Sequence, residues 1–248
     1  MIQVAAITSQ GIRPANQDRI MVQGLVLDRG AIAFEQENGL LLVVCDGVGG
    51  EKFGDEAAQI TAALFAFLEH ETIDISLIRR YLSLANEQLY NAQSADADHA
   101  NMSTTIAGIY LNDDDYIAFN VGDSKVYRFR TPYITQLSTD HTLIRSMIES
   151  GAADENDPDL EAYQHVLVQY LGCRDGKQPS IVDGTDRLFE DDIYLICSDG
   201  ISDVVSEKLL EEILAAAKPI EDLCSEIFAA AVDNGSEDNI SLILAKRS

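Results

Sequence analysis

Apolar and polar positions alternate along this chain in two periods, one of strand length and one of helical spacing. Leu40–Cys45 and Ile193–Cys197 are unbroken apolar runs, each ending abruptly in an acidic turn, Asp46-Gly47-Val48-Gly49-Gly50 and Ser198-Asp199-Gly200. Residues 4–8 read as a first strand and 240–245 as a last one, the latter entered through Gly235-Ser236-Glu237-Asp238-Asn239. From 55 to about 70, at His70, the residues Ala57, Ile60, Leu64, Phe67 and Leu68 recur at helical spacing, and Leu77, Ile78, Tyr81, Leu82, Ala85 and Leu89 form one stripe over 76–93. Four β-prone runs follow, 105–111, 116–121, 125–129 and 133–137, separated by turn compositions, and predict an antiparallel meander. Residues 141–150 and 160–171 predict helices joined by the acidic stretch AADENDPD, so this segment projects from the core. Helices are expected over 206–217 and 220–232, with Pro219 suited to the first turn of the second. Helical pairs flanking two sets of antiparallel strands make a sandwich, and the absence of repeats or low-complexity linkers makes 1–248 one domain.

Composition narrows the function. With 42 acidic against 17 basic residues the formal charge is −25, a field that repels nucleic acid and anionic membrane and attracts cations. The apolar runs fall far short of the roughly 20 residues that span a bilayer. The N-terminus MIQVAAITSQ has no basic region or sustained apolar stretch, so a cytoplasmic location is expected. Cys45, Cys173, Cys197 and Cys224 show no paired spacing for zinc or disulfides and read as reduced core thiols.

The candidate chemistry lies in the acidic turns. Asp46-Gly47, Asp199-Gly200 and Asp238-Asn239 each stand where a strand begins or ends. Hard divalent cations take oxygen ligands, and short Asp side chains on strand ends can hold them while leaving room for water. A Gly after the Asp lets a backbone carbonyl approach the same ion. Each pair alone is an ordinary turn former.

Taken together, the ordered segments Arg13-x-x-Asn16-Gln17-Asp18, VVCDGVGG at 43–50, MSTT from Met102, NVGDSK from Asn120, Asp140-His141, ICSDG from Ile196 and SEDN from Ser236 are similar to those of the metal-dependent protein phosphatases of type 2C. The resemblance implies an α+β fold, a four-layer α-β-β-α sandwich of two antiparallel sheets flanked by helix pairs, with a flap at about 142–171. It also implies hydrolysis of phosphoserine and phosphothreonine by a water activated between two Mn2+ or Mg2+ ions. Asp46 would bridge them, Asp199 and Asp238 would complete the first site, and the Gly47 carbonyl would serve the second. Asp18 would act mainly through water on the metals, and Asp123 would help Asp199 form a third metal site. Arg13 would clamp the phosphate, whose non-bridging oxygens suit a guanidinium fork. Phosphoproteins of a cognate Ser/Thr kinase are the implied partners, and a stand-alone monomer the implied state.

Three departures stand out. Val48 occupies the position where many eukaryotic members carry a His that protonates the leaving alkoxide, which leaves the general acid unassigned. His141 reads as a structural residue, and His70, His99 and His165 have no motif context. Lys125 and Ser103 replace the more usual Arg and Gly without touching the expected ligands. The rival readings are a non-catalytic relative acting as a binding module, and a metal-dependent phosphoesterase of different fold acting on nucleotides. Retention of the three ligand aspartates and Arg13 counts against the first, and the absence of a P-loop, an HD pair or a basic groove against the second.

Overall fold

The unbroken apolar runs become central strands buried on both faces. In the computed structural model, residues 1–37, 39–48, 53–68, 72–112, 115–154, 160, 163–173, 179–184 and 188–247 are described. The chain opens with β1 (Ile2–Ser9), β2 (Arg19–Val22), β3 (Leu25–Leu27), β4 (Gly30–Gln36) and β5 (Leu40–Cys45), then α1 (Gly54–Ala66) and α2 (Ile75–Ala95). Next come β6 (Ile106–Leu111), β7 (Tyr116–Val121), β8 (Lys125–Arg130), β9 (Tyr133–Gln136) and α3 (Leu143–Glu149). The last part holds β10 (Ser180–Gly184), β11 (Ile193–Cys197), α4 (Asp199–Ser202), α5 (Glu207–Leu214), α6 (Ile220–Asp233) and β12 (Ile240–Arg247).

Two six-stranded sheets result, ordered β4-β1-β12-β11-β8-β9 and β10-β7-β6-β5-β2-β3, and their paired strands are antiparallel. Period-2 geometry explains why β5 and β11, covered on both faces, carry no charged residue. Along β5, Leu41, Val43 and Cys45 pack toward α1 and α2, while Leu40, Leu42 and Val44 face the other sheet. Along β11, Tyr194 and Ile196 join the core between the sheets, and Ile193, Leu195 and Cys197 join the layer under α5 and α6. Three stacked apolar layers therefore separate helices, sheet, sheet and helices, which is the four-layer α+β sandwich implied by the sequence. Helix starts are fixed locally: the Asp74 carboxylate accepts from the Leu77 N–H at 2.7 Å at the head of α2, and the Ser206 and Thr142 hydroxyls accept in the same way at α5 and α3.

Several expectations are corrected. The four runs from 105 to 137 do not form one meander: β6 and β7 lie in one sheet and β8 and β9 in the other. The chain changes sheets at Gly122-Asp123-Ser124, where Gly122 has φ +114 and a Cβ would press 2.6 Å from the Thr105 side chain. This crossing carries Asp123 to the end of the sandwich. Among the described residues of 160–171 the expected helix is absent. Leu167 and Leu171 instead form isolated bridges with Thr142 and Thr104, and the Val168 N–H donates to the His141 carbonyl at 2.9 Å. Backbone pairing with Thr104 and Thr142 outweighs the helical spacing of its leucines. The strands β2, β3, β4 and β10 and the short α4 were not expected. Gly49, Gly50, His70 and the tail of the AADENDPD stretch lie outside the described residues.

Candidate metal centre and phosphate site

One end of the sandwich gathers the three aspartate turns singled out in the sequence. β5 ends at Asp46, β11 ends just before Asp199 at the head of α4, and the turn into β12 presents Asp238. The sheet crossing adds Asp123, and the loop before β2 adds Asp18. A cleft of about 510 Å³ is lined by Asp46, Gly47, Asp123, Asp199, Asp238 and, at its rim, Arg13. The backbone of Asp46 is held independently of its side chain: its carbonyl accepts from the Thr105 N–H at 2.8 Å and the Thr104 hydroxyl at 2.7 Å. At Gly47 a Cβ would lie 2.4 Å from the carbonyl carbon of Gly54, so only glycine lets this turn pass under the start of α1.

Electrostatics mark these groups as an assembly short of positive charge. Burial first, then the charges of Asp199, Asp18, Asp123 and Asp238, push the Asp46 carboxyl well above its ordinary range. Asp199 is pushed up in the same direction by burial, then by Asp123, Asp203, Asp238 and Asp18. Asp18 rises to about 6, chiefly by burial, although hydrogen bonds from Ser241 and Ser198 pull it back. Asp123 also reaches about 6 through burial, with Asp203 and Asp140 adding to it. The Ser198 hydroxyl donates to Asp18 Oδ2 at 2.8 Å, whereas Asp18 Oδ1 and Asp199 Oδ1 are buried with no hydrogen-bond partner. Orphaned buried carboxylate oxygens are costly unless something else satisfies them. A hard divalent cation is the partner whose chemistry fits this all-oxygen donor set.

Arg13 sits exposed at the rim, its Nη2 donating to Asp238 Oδ2 at 2.6 Å and its Nε to the Glu237 carbonyl at 2.9 Å. Thus all the residues singled out in the sequence converge on one cleft or, for Asp18, on the layer directly behind it. His141 has the structural place expected of it, with Nδ1 accepting from the Gly122 N–H at 3.0 Å. Lys125 donates to Asp140 Oδ2 at 2.6 Å.

Two residues carried no signal in the sequence. His165, from the segment 142–171, also lines the cleft, and its Nδ1 lies 3.4 Å from Asp203 Oδ2 at the end of α4. Donor atoms of His165, Asp199 and Asp203 lie within 4.8 Å of one another. Only the tertiary path of that segment brings the imidazole here, so no local pattern could have revealed it.

Comparison with known proteins decides the family. A family model described as protein phosphatase 2C matches residues 23–244. The chain belongs to the protein phosphatase 2C family. A serine/threonine phosphatase of Listeria monocytogenes is similar at 28% identity over 229 residues, 89% of each chain. The solved serine/threonine phosphatase Stp1 of Staphylococcus aureus is similar at 26% identity and TM-score 0.87, covering 100% of this chain and 96% of that one. The catalytic domain of PstP, solved with two manganese ions, matches in fold at TM-score 0.78 and 21% identity, covering 99% of each chain.

The raised carboxyls make a pH prediction. Asp18 and Asp123 titrate near 6 in the folded chain against an ordinary 3.8, so the metal-free fold binds protons more tightly than the unfolded chain. Their stabilising contribution is complete below the ordinary value and is lost as pH rises through about 6. Asp28 and Asp74 are held down by Arg29 and by the Leu77 N–H, and titrate below this window. In chelator, the melting temperature is expected to rise as pH falls from about 7.5 to about 5, and the rise given by Mn2+ to shrink over the same interval, because protons compete for the same oxygens. A melting temperature in chelator that falls steadily over that interval contradicts this placement of the carboxyls.

Proposed function

We propose that this chain is a metal-dependent phosphoprotein phosphatase that hydrolyses phosphoserine and phosphothreonine. The observation that carries the reading is the convergence of Asp46, Asp123, Asp199 and Asp238 on one cleft, backed by Asp18, with two buried carboxylate oxygens lacking partners and a guanidinium at the rim. Asp46 would be shared between two ions, Asp199 and Asp238 would complete one position, and the Gly47 carbonyl would serve the other, with Asp18 acting mainly through metal-bound water. Asp123 with Asp199 would offer a third position. When bound, Mn2+ or Mg2+ supplies a water acidified toward neutrality and positive charge for the phosphoryl oxygens.

The chain's own residues do the rest. Arg13 holds non-bridging phosphate oxygens and orients the ester against the carboxylate-held centre. The Ser198 hydroxyl keeps Asp18 oriented by binding one of its oxygens. Val48 lines the cleft beside Gly47 and offers no proton, so the leaving alkoxide takes its proton from elsewhere. Nucleic acid is excluded by the charge of −25, and among the described residues no helix is long and apolar enough to cross a membrane. The proposed substrates are phosphoproteins of a Ser/Thr kinase, the proposed location the cytoplasm and the proposed state a monomer.

Turnover of a phosphothreonine peptide and of a nucleoside monophosphate, each with Mn2+, tests this reading. Peptide turnover well above nucleotide turnover is expected. A preference for the nucleotide would favour the small-phosphate reading, and no turnover of either would favour a binding module.

A further inference from the structure

The loop that carries the phosphate clamp has few anchors of its own. Ile12, Arg13, Pro14 and Ala15 are all exposed, and the loop lies outside regular secondary structure. The Arg13 N–H closes a turn onto the Gln10 carbonyl at 3.1 Å and the Asn16 side chain ties down the far end, but the two ends are joined to the Asp238 turn by Asn239, a residue only 4% exposed. Asn239 Nδ2 donates to the carbonyls of Gln10 and Ala15, both at 2.9 Å, and Oδ1 accepts from the Gln17 N–H at 2.8 Å. The partners force this orientation of the amide, since two are carbonyls and the third is an N–H. One side chain thus satisfies three backbone groups that bracket Arg13 on both sides.

The neighbouring contacts tighten the same seam. Arg13 Nε donates to the Glu237 carbonyl at 2.9 Å, and Gly11 packs so closely on the adjoining turn that a Cβ would lie 2.2 Å from the Asp238 carbonyl oxygen. Gly11 also has φ +57, where side chains are disfavoured. The arginine loop and the Asp238 turn are therefore fitted together by a glycine and by an amide at the cleft wall, that of Asn239, whose backbone N–H also donates to Asp238 Oδ1 at 2.7 Å.

We propose that Asn239 is the positioning residue of the phosphate clamp: it sets where Arg13 stands relative to Asp238, and so fixes the distance between the held phosphate and the metal ligands. This inference rests on the proposed function. An apolar side chain of similar size would remove all three bonds, leaving the Gln10 carbonyl only its turn bond from the Arg13 N–H, and an Asp would keep the acceptor but lose both donors. Small displacements of a holding group are expensive in catalysis, since orientation is most of what such a group provides.

The test compares wild type, Arg13→Ala, Asn239→Ala, their double variant and Gly11→Ala. It reads KM and kcat on a phosphothreonine peptide, Ki for inorganic phosphate, and Mn2+ affinity by calorimetry. Arg13→Ala and Asn239→Ala are each expected to raise KM and the phosphate Ki roughly 10-fold or more, with kcat falling less than KM rises and the Mn2+ affinity held within about threefold. The double variant should be no worse than Arg13→Ala, because a missing clamp needs no positioning. Gly11→Ala leaves Asn239 in place but forces the loop off the Asp238 carbonyl, and should reproduce the KM-weighted loss even if Asn239→Ala folds poorly. Losses that multiply in the double variant, or an Asn239→Ala defect confined to kcat and Mn2+ affinity, overturn the proposal. Unchanged KM and Ki in Arg13→Ala overturn both the clamp and its positioning. A strong Arg13→Ala effect with silent Asn239→Ala and Gly11→Ala overturns the positioning alone.

Discussion

Asp46→Asn is expected to lose about a thousandfold in turnover, several kcal/mol of transition-state stabilisation at about 1.4 kcal/mol per decade, while melting no lower than wild type in chelator. The substitution is nearly isosteric. The hydrogen bonds that fix this turn use the Asp46 backbone, so they survive it. What disappears is a charge that Asp199, Asp18, Asp123 and Asp238 all oppose. Without metal, its removal relieves repulsion in the folded state. With metal, the wild type gains stability by mass action, about 2.7 kcal/mol at 100-fold excess over the dissociation constant, or roughly 5–10 °C for a chain of this size. The variant should lose most of that gain. An ordinary turn aspartate predicts the reverse: no metal-dependent difference and near-normal turnover.

Removing the metal should reduce wild-type turnover of a phosphothreonine peptide to background, and added Mn2+ should restore it. Thiol alkylation at neutral pH should leave it unchanged. Cys45, Cys197 and Cys224 are buried core residues, and burial pushes the thiols of Cys197 and Cys224 up to about 12. Burial, with the nearby Asp18 and Asp46, pushes Cys45 well up in the same direction. Cys173 does not line the cleft. Turnover that persists in thoroughly stripped protein, or that alkylation abolishes, contradicts the carboxylate-based mechanism.

The two-sided burial of the central strands made them legible. Leu40–Cys45, Tyr116–Val121 and Ile193–Cys197 have the bounds read from the apolar runs, because both faces of each strand must be covered. The peripheral strands gave no such signal. β4 is GAIAFEQ, half exposed at a sheet edge, and β2 is four buried residues without alternation. The segment 160–171 was misread because helical spacing of leucines says nothing about a backbone pairing with Thr104 and Thr142.

The site was legible for a different reason. Its proposed ligands sit at strand ends, and strand ends are where apolar runs stop, so Asp46, Asp199 and Asp238 stand out by position. Residues that complete the site through distant contacts did not. His165 and Asp203 meet from different segments of the chain, and the three hydrogen bonds of Asn239 reach back more than 200 residues, between 222 and 229 positions.

The most direct test of the account is a calorimetric titration of Mn2+ into chelator-stripped wild type and Asp46→Asn. Asp46 is assigned to both ions, so the wild type should take up at least two per chain, and the single substitution should weaken both. Matching isotherms for the two proteins would show that Asp46 does not join two metals, and the proposed centre would fail with it.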